Sequence, residues 1–169
     1  MNTVKTTTWT WVSAMLIACS AQAQTSAQAT ASGVRPLELQ ARTVAGERFS
    51  PENLKGRVSI VFFWSTACAV CRDSLPELRA NLMGWRDKPF ALVTVNVDRN
   101  AEDWKAYERI LSKTTMPPKN LFAVRQEPGA NLPPKLPLTL LVNAQGNVVA
   151  RYEGRLAPEA WDGVADLLP

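Results

Sequence analysis

Val58-Ser59-Ile60-Val61-Phe62-Phe63-Trp64 runs almost free of polar side chains, is rich in β-branched and aromatic residues, and is bounded by Gly56 and by Ser65-Thr66. A run of this length and composition reads as a central strand buried on both faces. Directly after it the period changes. Cys71, Leu75, Leu78 and Leu82 recur at i, i+4, i+7 and i+11, one face of a helix. Strand, short loop and helix in immediate succession put the chain in the α/β class.

The remainder of the folded part follows the same alternation. Leu37-Glu38-Leu39-Gln40 alternates apolar and polar residues and, with Glu47 to Phe49 after Ala45-Gly46, predicts a β-hairpin. Ser50-Pro51 predicts a capped single helical turn ending at Leu54, before Gly56. Phe90 to Val97 predicts a second buried strand, and Asn100 with Asp103 predicts the start of a helix with Trp104, Tyr107 and Leu111 on one side. Met116 to Pro137 reads as a long irregular segment, rich in proline, with at most a short strand at Leu121 to Val124. Leu138 to Val142 and Asn147 to Tyr152 predict a closing hairpin around Asn143-Ala144-Gln145-Gly146, and Pro158 opens a last helix with Trp161, Val164 and Leu168 inward. The expected architecture is a central mixed β-sheet flanked by helices, with an N-terminal β-hairpin extension, in one domain spanning 35-169.

Residues 1-23 differ from the rest: Lys5 is the only charge, Trp9 to Ala18 are mostly apolar, and Ala21-Gln22-Ala23 ends the segment. The apolar stretch is too short to span a bilayer, so it reads as a secretory signal cut after Ala23. Leu16-Ile17-Ala18-Cys19 resembles a bacterial lipobox and makes lipidation at Cys19 the alternative, with the signal then ending before that cysteine. Either way the chain leaves the cytoplasm for the periplasm or cell envelope and meets a membrane only through its signal or lipid anchor. Residues 24-34, rich in Ala, Ser, Thr and Gln, read as a flexible linker.

Three cysteines and no histidine narrow the chemistry. Ser-His-Asp and Cys-His nucleophile pairs and His-based metal sites all need an imidazole. Export accounts for Cys19, leaving Cys68-Ala69-Val70-Cys71. A zinc site needs two further Cys or His ligands, which the mature chain lacks, so no metal is expected. A purely structural disulfide remains an alternative, although closing so small a loop adds little stability on the entropy model. As a redox pair the two sulfurs are unequal. Cys68 lies at the helix N-terminus, where unpaired N–H groups and the helix dipole favour a thiolate, and is the candidate nucleophile. Cys71, one turn in on the apolar face, is the candidate resolving thiol. The net charge of +4 is spread over scattered basic residues and reads as a solvated surface, not a nucleic-acid footprint.

The segment V-S-I-V-F-F-W-S-T-A-C-A-V-C-R-D-S-L-P-E-L resembles the active-site region of the thioredoxin superfamily, in particular the exported TlpA/ResA-like thiol-disulfide oxidoreductases. Trp64 falls at the family's tryptophan four residues before the first cysteine, and Pro76 at its active-site-helix proline. Leu54-Lys55-Gly56-Arg57 and the residues before it look like the family's N-terminal extension. Leu136-Pro137-Leu138-Thr139-Leu140-Leu141-Val142 followed by Gly146 resembles its cis-proline strand.

The resemblance implies a thioredoxin-like fold and a cis Pro137. It also implies substrate contacts at Trp64, Leu136 and Pro137, with the Leu136 backbone free to pair with a substrate strand. It implies a monomer that reduces protein or peptide disulfides through a mixed disulfide, draws electrons from a membrane oxidoreductase and needs no cofactor. The chain departs from the pattern in carrying Ser74 and Phe62 at the two positions where relatives hold a buried carboxylate, and Ala67 before Cys68. Alternatives on the same scaffold are a redox-inactive interaction module, a copper-handling module and a thiol peroxidase. Copper-delivery relatives need C-x-x-x-C and a distal histidine, and peroxidases need a proline and a threonine where this chain has Val61 and Ser65.

Overall fold

The buried run becomes the middle of the sheet. The computed structural model describes residues 34–114 and 116–169; the signal segment, the lipobox with Cys19 and the linker through residue 33 lie outside the described residues. In chain order the strands are β1 (Arg35–Pro36), β2 (Ala41–Thr43), β3 (Arg48–Phe49), β4 (Val58–Trp64), β5 (Phe90–Asn96), β6 (Leu121–Gln126), β7 (Leu138–Val142) and β8 (Asn147–Glu153). The helices are α1 (Ala69–Gly84), α2 (Ala101–Thr114) and α3 (Ala160–Leu167), with a 3-10 turn at Pro51–Leu54. All eight strands form one sheet in the order β1-β8-β7-β4-β5-β6-β2-β3.

β4 pairs in parallel with β5, from Val58 opposite Phe90 to Trp64 opposite Asn96, and antiparallel with β7, from Ser59 opposite Val142 to Phe63 opposite Leu138. The parallel steps from β4 to β5 and from β5 to β6 are bridged by α1 and α2, as parallel neighbours require. Because strand side chains alternate, β4 feeds two cores. Val58, Ile60, Phe62 and Trp64 pack with Cys71, Leu75, Leu78 and Leu82 of α1, Trp104 of α2, and Ala160 and Val164 of α3. Val61 and Phe63 pack with Leu37, Leu39, Ala41, Phe49 and Leu54. The helices therefore cover one face of the mixed sheet, and the N-terminal extension covers the other.

Three boundaries differ from expectation, each for a physical reason. The hairpin exists, but its first strand is Ala41–Thr43, paired with both β3 and β6, not Leu37 to Gln40. Leu37 and Leu39 are still buried while Glu38 and Gln40 are exposed, because that segment lies extended across the sheet face. Period-two burial reports an extended backbone, not a ladder partner. β6 runs on to Gln126, lodged between β5 and β2. α3 begins at Ala160, after a turn in which the Pro158 carbonyl accepts from Trp161 N at 3.0 Å.

The closing turn forms at Asn143 to Asn147. Asn143 Oδ1 accepts from the backbone N–H of Gln145 (3.1 Å) and Asn147 (3.0 Å), and Gly146 sits at φ 86°. A Cβ at Gly146 would meet nothing within 4 Å, so substitution there costs backbone conformation alone. Gly146→Ala is expected to lower stability by about 1 kcal/mol in urea unfolding, without changing the fold.

On α2, burial pushes the Glu108 carboxyl up from its ordinary value, against the opposing pull of the Arg79 guanidinium. A carboxyl raised in the folded state binds its proton more tightly there than in the unfolded chain. Its stabilising contribution is therefore full below the unfolded value and is lost as pH rises through the folded one. Glu108→Gln should accordingly be more stable than wild type at pH 7, with the difference shrinking as pH falls towards about 4. Chemical denaturation at both pH values checks this.

Candidate active site

The loop between β4 and α1 brings the cysteines to the end of the sheet where β4 leaves the core. Cys68 is the N-cap of α1, with extended backbone (φ −87°, ψ 106°), and its sulfur accepts from the Cys71 backbone N–H at 3.2 Å. The two sulfurs are bonded, with S–S 2.12 Å and Cα–Cα 5.2 Å. They are not equivalent. Cys71 is wholly buried with Leu75 and Leu78, whereas Cys68 is only partly buried at the edge of the same cluster. Val70, between them, stands 48% exposed beside the disulfide.

The Leu136–Pro137 peptide bond is cis. Leu136 is half-buried against the cluster that Cys68 borders, and among the described residues neither its N–H nor its C=O has a backbone partner. Pro137 itself is buried, and its carbonyl accepts from Gly154 N at 2.9 Å. Trp64 corrects the expectation that placed it among substrate contacts. Its side chain is fully buried and meets Tyr107 with ring centroids 4.9 Å apart. The strand that carries it points that residue into the helix-side core, so it forms the floor beneath the loop.

Ser74 and Phe62, where relatives hold carboxylates, contribute none. Phe62 is packed in the core, and the Ser74 hydroxyl donates to the Val70 carbonyl at 2.8 Å. Glu77 pairs with Arg155 at 3.0 Å, and Asp73 is exposed. Sequence reasoning missed a different carboxylate, Asp98. It is 8% exposed, and its Oδ1 accepts from Ser65 Oγ (2.5 Å) and Thr66 N (2.9 Å). Its Oδ2 accepts from Asn96 Nδ2 at 2.9 Å. The signal available was positional: parallel pairing of β4 with β5 sets Asn96 beside Trp64, so the residues just after β5 lie beside the loop just after β4.

Among the described residues a cleft of about 590 Å³ lies under the N-terminal extension, lined by residues such as Leu39, Pro51 and Asn131. Among the described residues no group of three or more Cys, His, Asp or Glu could hold a metal ion.

Comparison with known proteins agrees with this geometry. The AhpC/TSA family model matches residues 33–162. The thioredoxin-like protein YneN of Bacillus subtilis (strain 168) is 31% identical over 64 residues, 38% of this chain; the match spans 37% of YneN's own length. StoA from Bacillus subtilis has a similar structure, with TM-score 0.60 at 22% identity over 78% of this chain and 98% of that one. So has a thiol:disulfide interchange protein of the thioredoxin family from Chlorobium tepidum TLS, with TM-score 0.58 at 23% identity over 80% and 97%. The exposed lipoprotein thioredoxin of Streptococcus pneumoniae strain TIGR4 matches with TM-score 0.61 at 17% identity over 78% and 100%. By its family match over residues 33–162 the chain belongs to the AhpC/TSA family, and its fold, with the cysteine pair at bonding distance, is thioredoxin-like.

Proposed function

We propose that the protein is an exported thiol-disulfide oxidoreductase that reduces protein disulfides through Cys68 and Cys71. The observation that carries the reading is the inequality of the pair: one sulfur at the surface on a helix N-terminus, the other buried one turn in. In the reduced protein, the Cys68 thiolate attacks one sulfur of a substrate disulfide, and the other substrate sulfur leaves as a thiolate. Cys71, losing its proton, then attacks Cys68; the second substrate sulfur departs, and two electrons have passed from the pair to the substrate. A donor, proposed to be a membrane oxidoreductase, returns them.

The substrate class follows from the surface. A part-exposed Cys68 beside exposed Val70 and the unpaired Leu136 backbone favours an extended polypeptide as substrate. Residues 1-23 support export to the periplasm or cell envelope, with the folded domain acting as a monomer held, if at all, through Cys19. The peroxidase alternative is disfavoured at Ser65, whose hydroxyl donates to Asp98 and accepts from Ala67 N at 3.2 Å, and so is already committed.

Catalysed reduction of insulin by dithiothreitol tests the reading. The protein is expected to bring insulin precipitation forward relative to dithiothreitol alone. If it adds nothing to the dithiothreitol rate, the domain is an interaction module, not an enzyme.

A further inference from the structure

The active-site loop rests on a carboxylate that no step above uses. Asp98 accepts from three donors: the Ser65 hydroxyl, the Thr66 N–H and the Asn96 side-chain amide. Both of its oxygens are thus engaged, Oδ1 by the loop and Oδ2 by Asn96. Its own N–H donates to Asn96 Oδ1 at 3.0 Å, so Asn96 holds it from both ends. From Asp98 the chain of bonds continues towards the disulfide. Ser65 Oγ accepts from Ala67 N, and the Ser65 carbonyl accepts from Cys68 N at 3.1 Å. Three arginines flank the network. Arg72 of α1 donates to the Thr66 carbonyl; Arg125 of β6 donates to the carbonyls of Asp98 (2.7 Å) and Arg99 (3.3 Å); Arg99 itself is exposed. All these contacts with the guanidinium groups are to backbone oxygens, which leaves the Asp98 charge without a salt-bridge partner among the described residues.

We propose that Asp98 is a positioning residue for the dithiol, a buried negative charge that fixes the Ser65-Thr66-Ala67 loop and opposes the Cys68 thiolate, keeping the pair reducing. The helix N-terminus favours the thiolate and Asp98 works against it, so the balance between them sets how readily the reduced pair gives up electrons. With Phe62 and Ser74 in place of the relatives' carboxylates, Asp98 is the buried acid beside this loop. The inference rests on Cys68 and Cys71 being the redox pair.

The test measures Cys68 alkylation against pH in the reduced full-length chain, with the modified peptide identified by mass, together with the equilibrium of the pair in a dithiol buffer. Asp98→Asn keeps an acceptor but removes the charge. It is expected to lower the pH midpoint of Cys68 alkylation by roughly one unit. The redox equilibrium should move up to roughly tenfold towards the reduced protein, about 30 mV for a two-electron couple. Ser65→Ala removes a loop bond but leaves the charge, and should keep the wild-type midpoint. Asp98→Ser gives the same readout if the asparagine variant does not fold. An unchanged midpoint in the Asp98 variants, or an equal shift in Ser65→Ala, would overturn the proposal and leave a structural clamp. A wild-type pair that shows no reversible reduction would instead overturn the redox reading itself, and this inference with it.

Discussion

Cys71→Ala is expected to turn the protein from a catalyst into a trap. Without the buried sulfur, Cys68 can still attack a substrate disulfide, but the resulting mixed disulfide has no internal thiol to resolve it. Adducts through Cys68 should accumulate on non-reducing gels and disappear on adding dithiothreitol. Insulin-reduction turnover should fall on the order of a hundredfold or more, to the background set by free dithiol. Cys68→Ser should lose as much activity while forming no adduct, since Cys71 is wholly buried. The double variant should lose no more than Cys68→Ser alone, because the two sulfurs act as a unit. Adducts mapping to Cys71 in the Cys68→Ser protein would reverse the assigned roles.

The second large effect is on stability. Trp64 is fully buried among β4, α1 and α2, its ring tilted 59° against Tyr107, and its carbonyl accepts from Val97 N at 2.9 Å. Trp64→Ala empties that volume directly beneath the active-site loop and is expected to cost about 3–5 kcal/mol. That is a large share of the roughly 5–15 kcal/mol typical of a whole domain, and lowers the melting temperature by roughly 10–20 °C. Trp64→Phe should cost far less. It keeps an aromatic ring against Tyr107, and it removes an indole N–H that has no hydrogen-bond partner among the described residues. Thermal unfolding of both variants separates the cavity from the lost polar atom; equal losses would show that packing against Tyr107 contributes little.

The parts of the fold legible in the sequence are those written as period. β4 reads as a nearly unbroken apolar run because both its faces are covered, and α1 is legible because Cys71, Leu75, Leu78 and Leu82 all turn inward. Together they place the Cys68–Cys71 pair at a strand-to-helix junction. What was not legible depends on partners far away in the chain. Leu37 and Leu39 alternate like strand residues yet pack across the sheet face, since alternation is blind to what the backbone bonds with. β6 ends in Arg125 and Gln126, polar residues that periodicity assigns to a loop. In the fold Gln126 is buried, and Arg125 reaches the carbonyls after β5. Trp64 sits four residues before Cys68, but its place one β-residue from Phe63 turns it to the opposite face, into the core.

Asp98 was hidden for the same reason as β6. Its role comes from the β4–β5 register, which sets it beside Ser65 and Thr66 across a separation of more than thirty residues. The two positions where the family resemblance implies a carboxylate hold Phe62 and Ser74 instead. A buried acid is still present at the loop, contributed by the segment just after the neighbouring strand β5.

The most direct test of the central claim is the redox titration of the Cys68–Cys71 pair. The protein is equilibrated in dithiol buffers of graded potential, the thiols are alkylated, and the fraction of each peptide oxidised is counted by mass. A single reversible two-electron transition is expected, in which Cys68 and Cys71 change together, near the thioredoxin end of the scale at about −270 mV. A pair that never exchanges with the buffer, or one poised near the strong-oxidant end at about −120 mV, would contradict it: the first leaves no working dithiol, and the second reverses the direction of electron flow.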